Sequence, residues 1–178
     1  CGDSGAPCRT IPYALANIAA PGDTVSVWEG TYTETFTLRA GIVISGAGAT
    51  RTFIDGEGVR GPMVSASGST VSSTTVLRGV AIRRGTATNG GGVYITNGAS
   101  PLIEDCVVSE NVATSRGGGL YVFGTATLTL RDTVVISNTS TSAGGGMYQT
   151  FVGGSRLDVF GGRFENNGTT AGNGGGLW

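Results

Sequence analysis

Gly117-Gly118-Gly119-Leu120-Tyr121 decides the reading of this chain, because the chain writes the same phrase three more times. The other copies are Gly90-Gly91-Gly92-Val93-Tyr94, Gly144-Gly145-Gly146-Met147-Tyr148 and Gly174-Gly175-Gly176-Leu177-Trp178, with starts 27, 27 and 30 residues apart. A fixed period of that size marks stacked repeats, in which each coil touches only its neighbours. One period of shift superposes Val93, Leu120, Met147 and Leu177, and likewise Tyr94, Tyr121, Tyr148 and Trp178. Adjacent residues of a strand face opposite ways. The aliphatic set is therefore expected inside, and the aromatic set outside as a ladder of rings.

Outward from the triplets, each coil carries a strand after its glycines (93–96, 120–123, 147–150), a turn, and a longer β-rich run (102–109, 128–137, 157–165). Asn111, Asn138 and Asn167 coincide at separations of 27 and 29. Stacked amides can hydrogen-bond from coil to coil at the parallel-strand spacing of about 4.8 Å, which makes these three a structural ladder. Glu104 is expected over Arg131, and Arg78 over Asp105, as opposite-charge pairs. Asp132 falls beside Asp105, a like-charge stack. Leucine-rich repeats need a leucine consensus that is absent, calcium-binding nonapeptide rolls need a repeated Gly-Gly-x-Gly-x-Asp, and propeller blades have longer periods. The pattern is that of an all-β chain wound as a parallel β-helix of about five to six coils.

The rest of the sequence fits one domain, 1–178. Residues 1–22 read as a loop and a short capping α-helix, with Thr10 as N-cap, Pro12 near the first helical position and Ile11, Ala14, Leu15 and Ile18 on one face. Residues 23–73 read as irregular first coils, with strands at 24–28, 34–38, 42–45, 52–54 and 63–66. Residues 74–178 are the regular triplet coils. The last of these begins at Gly174 and is not closed by Trp178, so further coils or other copies of the chain are the expected partners of that edge.

Composition excludes several function classes. The chain has 178 residues, net charge −1, eleven cations that are all Arg, and no His. The missing His removes Ser-His-Asp, Cys-His and histidine-metal chemistry, and the charge gives no footprint for nucleic acid. No apolar run approaches membrane-spanning length. Cys1 and Cys8 bracket a short Gly/Asp/Ser/Pro loop and read as a disulfide, which implies an oxidising compartment; a lipid-modified Cys1 is the rival reading. Cys106 sits at an apolar repeat position and reads as a small buried hydrophobe.

The repeats resemble a family. A triple glycine followed by Val, Leu or Met, then Val108–Asn111, Val135–Asn138 and 164–167 as V/F-x-x-N units, is similar to the repeats of chlamydial-type polymorphic outer-membrane proteins and related bacterial surface proteins. Gly stands third where those repeats usually carry Ala. The opening, Cys8-Arg9-Thr10-Ile11 with Ala14-Leu15, then Pro21-Gly22-Asp23-Thr24-Val25 and Gly30-Thr31-Tyr32, resembles the cap and first coil of secreted right-handed β-helix proteins of the pectin-lyase-like superfamily. The resemblance implies a right-handed helix, a secreted or cell-surface bacterial location, and a structural or adhesive role. Because that fold also carries lyases and hydrolases, it does not settle activity.

For an enzyme, the alternative is a polysaccharide lyase or glycoside hydrolase. Its best catalytic set is Asp105 and Asp132, with Arg131 or Arg78 as cationic helper, since hydrolysis needs two carboxylates roughly 5–10 Å apart. The simpler reading makes these solvent-facing positions of repeated strands, and no adjacent Asp-Asp or Gly-His-Gly sequence occurs. Calcium is the one cofactor the sequence leaves open, at Asp55-Gly56-Glu57-Gly58, and a Gly-rich acidic turn is more often only a turn. The aromatic ladder suggests glycans or cell-surface ligands as partners, against mutual stacking of the rings at their close spacing. Asn138-Thr139-Ser140 and Asn167-Gly168-Thr169 match glycosylation sequons, but the ladder accounts for both asparagines. An ice-binding face would need a Thr array, and Thr125, Thr127 and Thr129 offer one coil only.

Overall fold

A computed structural model of the protein describes residues 7–57 and 59–178. The chain winds as a parallel β-solenoid of about five turns, with one short helix near its N-terminal end. Every paired strand runs parallel to its neighbour one coil away. Two six-stranded sheets run the length of the spiral: one from Thr24–Val27 to Leu157–Phe160, the other from Gly30–Tyr32 to Arg163–Glu165. A five-stranded sheet runs from Phe36–Thr37 to Met147–Gln149. A four-stranded one, Thr86–Asn89 to Gly168–Thr169, lies between it and the second six-stranded sheet in chain order.

The longer β-rich runs are each two strands rather than one. Leu102–Glu104 and Val107–Ser109 are separated by a corner at Asp105, whose φ is 50°, and the corner at Asp132 (φ 46°) repeats it one coil on. A single residue in the left-handed region turns the chain from one sheet to the next. A fourth strand in each of the later coils, such as Val112–Arg116, lies before the glycine triplet and was not expected from the sequence.

Registered side chains fill the interior in columns. Ile44, Leu77, Ile103 and Leu130 stack on the first sheet, and Ile54, Ile82, Val108 and Val135 on the second. Val64, Val93, Leu120 and Met147 stack on the third, all fully buried. Each such side chain contributes about 1.5–3 kcal/mol by leaving water, and they form one continuous core.

The triplet glycines answer to steric contacts with the next coil. Gly117 has φ 64°, whereas Gly118 lies so close to its neighbours that a Cβ there would come within 2.4 Å of the Gly145 and Thr139 carbonyl oxygens. A Cβ on Gly119 would stand 2.6 Å from Gly146 O and 3.0 Å from the Asn138 amide carbon. The third glycine thus leaves the space into which the ladder asparagine fits.

At the other end the helix Ile11–Asn17 closes the core. Thr10 Oγ1 accepts from Tyr13 N (3.2 Å), and Glu34 Oε1 accepts from Ile11 N (2.7 Å), so two donors of the first turn are satisfied. Burial pushes the Glu34 carboxyl above its ordinary range, while the Ile11 N–H pulls the other way. Ile11, Ala14 and Leu15 are buried, but Ile18 is the C-cap and is 44% exposed, so the buried face is one residue shorter than the spacing implied. The Cys1–Cys8 pairing involves Cys1, which lies outside the described residues.

Candidate functional site

The asparagines sit one residue past a second left-handed corner, at Glu110 (φ 55°), Ser137 (φ 56°) and Asn166 (φ 51°). That corner turns their side chains toward the interior. Asn111 and Asn138 are fully buried. Asn138 Oδ1 accepts from both the backbone N–H (3.0 Å) and the amide (2.9 Å) of Asn111, and Asn167 Oδ1 does the same for Asn138 (3.0 and 2.9 Å). The Nδ2 atoms also donate to carbonyls: Asn111 to Ile82, Asn138 to Val108 and Ile136, Asn167 to Val135. An amide carries both donors and an acceptor, so each can bond the coil before and the coil after. A glycan on Asn138 would have no room.

The aromatic positions stack on one another. Ring centroids of Tyr94–Tyr121, Tyr121–Tyr148 and Tyr148–Trp178 are 5.2, 5.3 and 5.0 Å apart with planes within 10°. They point away from the main core, as the alternation requires, yet Tyr121 and Tyr148 are only 6% and 4% exposed. With Ala143 they form a second apolar cluster. Arg116 covers it, its guanidinium 5.0 Å from the Tyr148 ring centre. Burial and the neighbouring rings raise the Tyr121 hydroxyl above its ordinary value. Faces covered on both sides by other rings are not open to a sugar, so among the four only Tyr94 and Trp178 lack a stacked ring on one side.

The charged candidates are arranged differently from the sequence reading. Glu104 lies between Arg78 (3.8 Å) and Arg131 (3.2 Å) on the outer face of the first sheet. Arg78 registers with Glu104 rather than with Asp105, whose place in that coil is taken by the corner glycine Gly79 (φ 66°). Asp105 and Asp132 are exposed on successive corners, and Arg131 is engaged by Glu104 rather than by either.

Asp55 is not an open calcium ligand. It is fully buried, and its oxygens accept from Arg83 Nε (2.8 Å), Arg84 Nε (2.9 Å) and Glu57 N (3.2 Å). Burial works to raise its carboxyl, but the bonds from Arg84, Arg83 and Glu57 outweigh it and hold the group below its ordinary range. Arg83 also covers the Phe53 ring at 4.1 Å. The sequence reading missed this cluster; tandem arginines one coil after an aspartate were its only trace. Cys106 is buried, and that burial pushes its thiol up to about 12, so it is no nucleophile at neutral pH.

A family model described as a right handed beta helix region matches residues 35–178. The chain belongs to that family. No curated protein and no solved structure matches it significantly. In this β-helix no group of three or more acidic or Cys side chains is placed to hold a metal ion among the described residues. No helix among them is long and apolar enough to cross a membrane. What the family shares is the coil and its stacked columns, and function has to be argued from the faces those columns leave.

Proposed function

We propose that the protein is a non-catalytic β-solenoid of the bacterial cell exterior, acting as a structural or adhesive scaffold. The observation that carries this reading is where the repeated polar and aromatic side chains go. The asparagine amides bond from coil to coil, and the tyrosines stack on one another. Glu104 and Asp55 are each taken up by two arginines. Groups engaged in this way build a stiff rod and are not poised for chemistry. The likeness of the triplet and V/F-x-x-N units to polymorphic outer-membrane repeats, and of the opening to secreted pectin-lyase-like proteins, supports the location.

The second reading, a polysaccharide lyase or glycoside hydrolase, draws on one observation: Asp105 and Asp132 are exposed on successive corners beside Arg131. A screen of acidic and neutral polysaccharides, with and without calcium, separates the two. The scaffold reading expects no new reducing ends and no unsaturated products. Product release that Asp105→Asn or Asp132→Asn abolishes would replace it with the second.

A further inference from the structure

The four-stranded sheet, whose strands the sequence reading missed, carries an ordered array on its outer face. Its first outward column reads Thr86, Val112, Thr139 and Gly168, in register from coil to coil. The second stands two residues further on in each coil and reads Thr88, Thr114, Thr141 and Thr170, all exposed. Thr141 N donates to Ala113 O (3.1 Å) and Thr170 N to Ser140 O (3.0 Å), so the ladder continues past the strand ends and sets these threonines over one another. The residues between the columns, Ala87, Ala113 and Ser140, are buried, as strand alternation requires. Arg60, bridged to Thr86, closes the array on its N-terminal side.

This face differs from the others. No charged side chain stands in either column, whereas the outer faces of the six-stranded sheets carry Arg78, Glu104 and Arg131 on one and Arg83 and Glu165 on the other. Among the described residues, none of the six threonine hydroxyls in the array has a hydrogen-bond partner in the protein. The inner Ser140 and Thr169 hydroxyls, by contrast, are spent on Ala143 O (2.9 Å) and Gly172 O (2.8 Å). The array is also held at fixed spacing. Its later strands start one residue after the ladder asparagines Asn111, Asn138 and Asn167, whose amides tie coil to coil. Successive coils set the threonines about 4.8 Å apart along the solenoid, and two residues of extended strand set the columns about 6.7 Å apart. Both distances lie near the oxygen repeats on a prism face of hexagonal ice.

We propose that this face binds ice. The threonine hydroxyls take up lattice positions of water oxygens, and the methyl groups between them hold the intervening water in ordered cages. Val112 has the shape of threonine, so it interrupts the hydroxyls but not the surface. Binding breaks no bond inside the protein, because the hydroxyls are free of partners. It also freezes little motion, because β-branched side chains are already stiff and the backbone beneath them is laddered. A charged side chain would impose its own orientation on the first water layer, and the columns contain none. This function stands apart from the scaffold reading: a rod with or without that role presents the same face.

The test measures thermal hysteresis of the 178-residue chain and its partition into a slowly growing ice hemisphere. The chain is expected to separate the freezing point from the melting point, to facet ice crystals and to enter the ice. Thr114→Lys, at an exposed position in the middle of the array, should cut hysteresis at least tenfold while leaving Tm unchanged. Thr114→Val keeps the methyl surface and should retain at least half of it. Thr125→Lys, an exposed threonine of a turn outside the array, should change nothing. No hysteresis at millimolar protein, full activity in Thr114→Lys, or equal losses in Thr114→Lys and Thr125→Lys would each overturn the proposal. So would a dimer that Thr114→Lys turns into a monomer at unchanged hysteresis, since the face would then join two copies of the chain. Failure on any of these counts leaves the scaffold reading untouched, because that reading is tested by the polysaccharide screen.

Discussion

In the later coils the position after the inner left-handed corner is an asparagine, at 111, 138 and 167; in the coil before them it is Gly85, against which Gly56 packs. The later corners are pinned by amides that bond upward and downward. The earlier one is pinned by Asp55, held by Arg83 and Arg84 from the following coil. The difference follows from donor and acceptor count. An ionised carboxylate only accepts, so it can finish a column but cannot propagate one, whereas an amide can be repeated for as many coils as the chain supplies. Gly85 is the junction, its N–H donating to Asn111 Oδ1 at 2.9 Å.

Breaking the amide column in its middle should produce the largest effect. Asn138→Ala leaves the buried Asn111 N–H without an acceptor and removes a donor to the Val108 and Ile136 carbonyls, the latter keeping the Glu110 N–H. The expected loss is about 3 kcal/mol, since each orphaned buried group costs about 1–3 kcal/mol. Asn167→Ala, at a half-buried position, should cost clearly less. Chemical denaturation of the two variants side by side checks the order, and equal losses would mean that the column does not act as a ladder.

The earlier device should break differently, because it is ionic. Asp55→Asn is expected to cost about 2–3 kcal/mol at neutral pH, the range for hydrogen bonds to a charged group. The carboxyl is held below its unfolded value of 3.8, so its stabilisation is complete above that value and lost as pH falls through the lower folded one. The gap between wild type and Asp55→Asn should therefore close in acid, below about pH 4, while the Asn138→Ala gap does not depend on that titration. Urea midpoints from pH 7 to pH 2 would show this; a pH-independent Asp55 gap would remove the ionic account.

A smaller effect is expected outside the core. Tyr121→Leu removes a ring stacked between two others and should cost about 1 kcal/mol beyond its lost area, the size of aromatic pair terms. Tyr121→Phe keeps the stack and should be nearly neutral, because among the described residues no side-chain hydrogen bond of the Tyr121 hydroxyl ties the column together. Loss of the same size in both variants would put the stabilisation in the hydroxyl instead.

What repeats was legible in the sequence, and what occurs once was not. The 27-residue period placed Asn111 over Asn138 and Tyr94 over Tyr121, as the register has them. Arg78 was misplaced by one because that coil step is 26 residues and not 27, a difference invisible until Gly79 is seen at the corner. Burial of the tyrosines was hidden for another reason. Alternation says which way a side chain leaves its sheet, but not that a further strand and Arg116 will cover it. The Asp55 cluster occurs at a single step between two coils and is not repeated, so no superposition of repeats could have found it.

The last prediction tests the inner wall of the regular coils against its own rule. Along the five-stranded sheet the inward column after Val93 and Leu120 reads Ala66, Ile95, Val122 and then Gln149. Gln149 is 3% exposed, and among the described residues neither its Nε2 nor its Oε1 has a hydrogen-bond partner. Unlike the asparagines it has no counterpart in the coil before, where Val122 can neither donate nor accept. Its backbone is secure, with the N–H donating to Trp178 O at 2.9 Å, so the cost lies in the side chain alone. A buried amide without partners costs about 1–3 kcal/mol, and Leu or Met restores the apolar column at similar volume. Gln149→Leu and Gln149→Met should therefore stabilise by about 1 kcal/mol and raise Tm by about 2–4 °C for a chain of this size. Calorimetry reads the sign directly. A fall in Tm in both variants would mean that the folded protein depends on a bond from this amide, and that a polar seam runs inside the five-stranded sheet as well as at the asparagine corner.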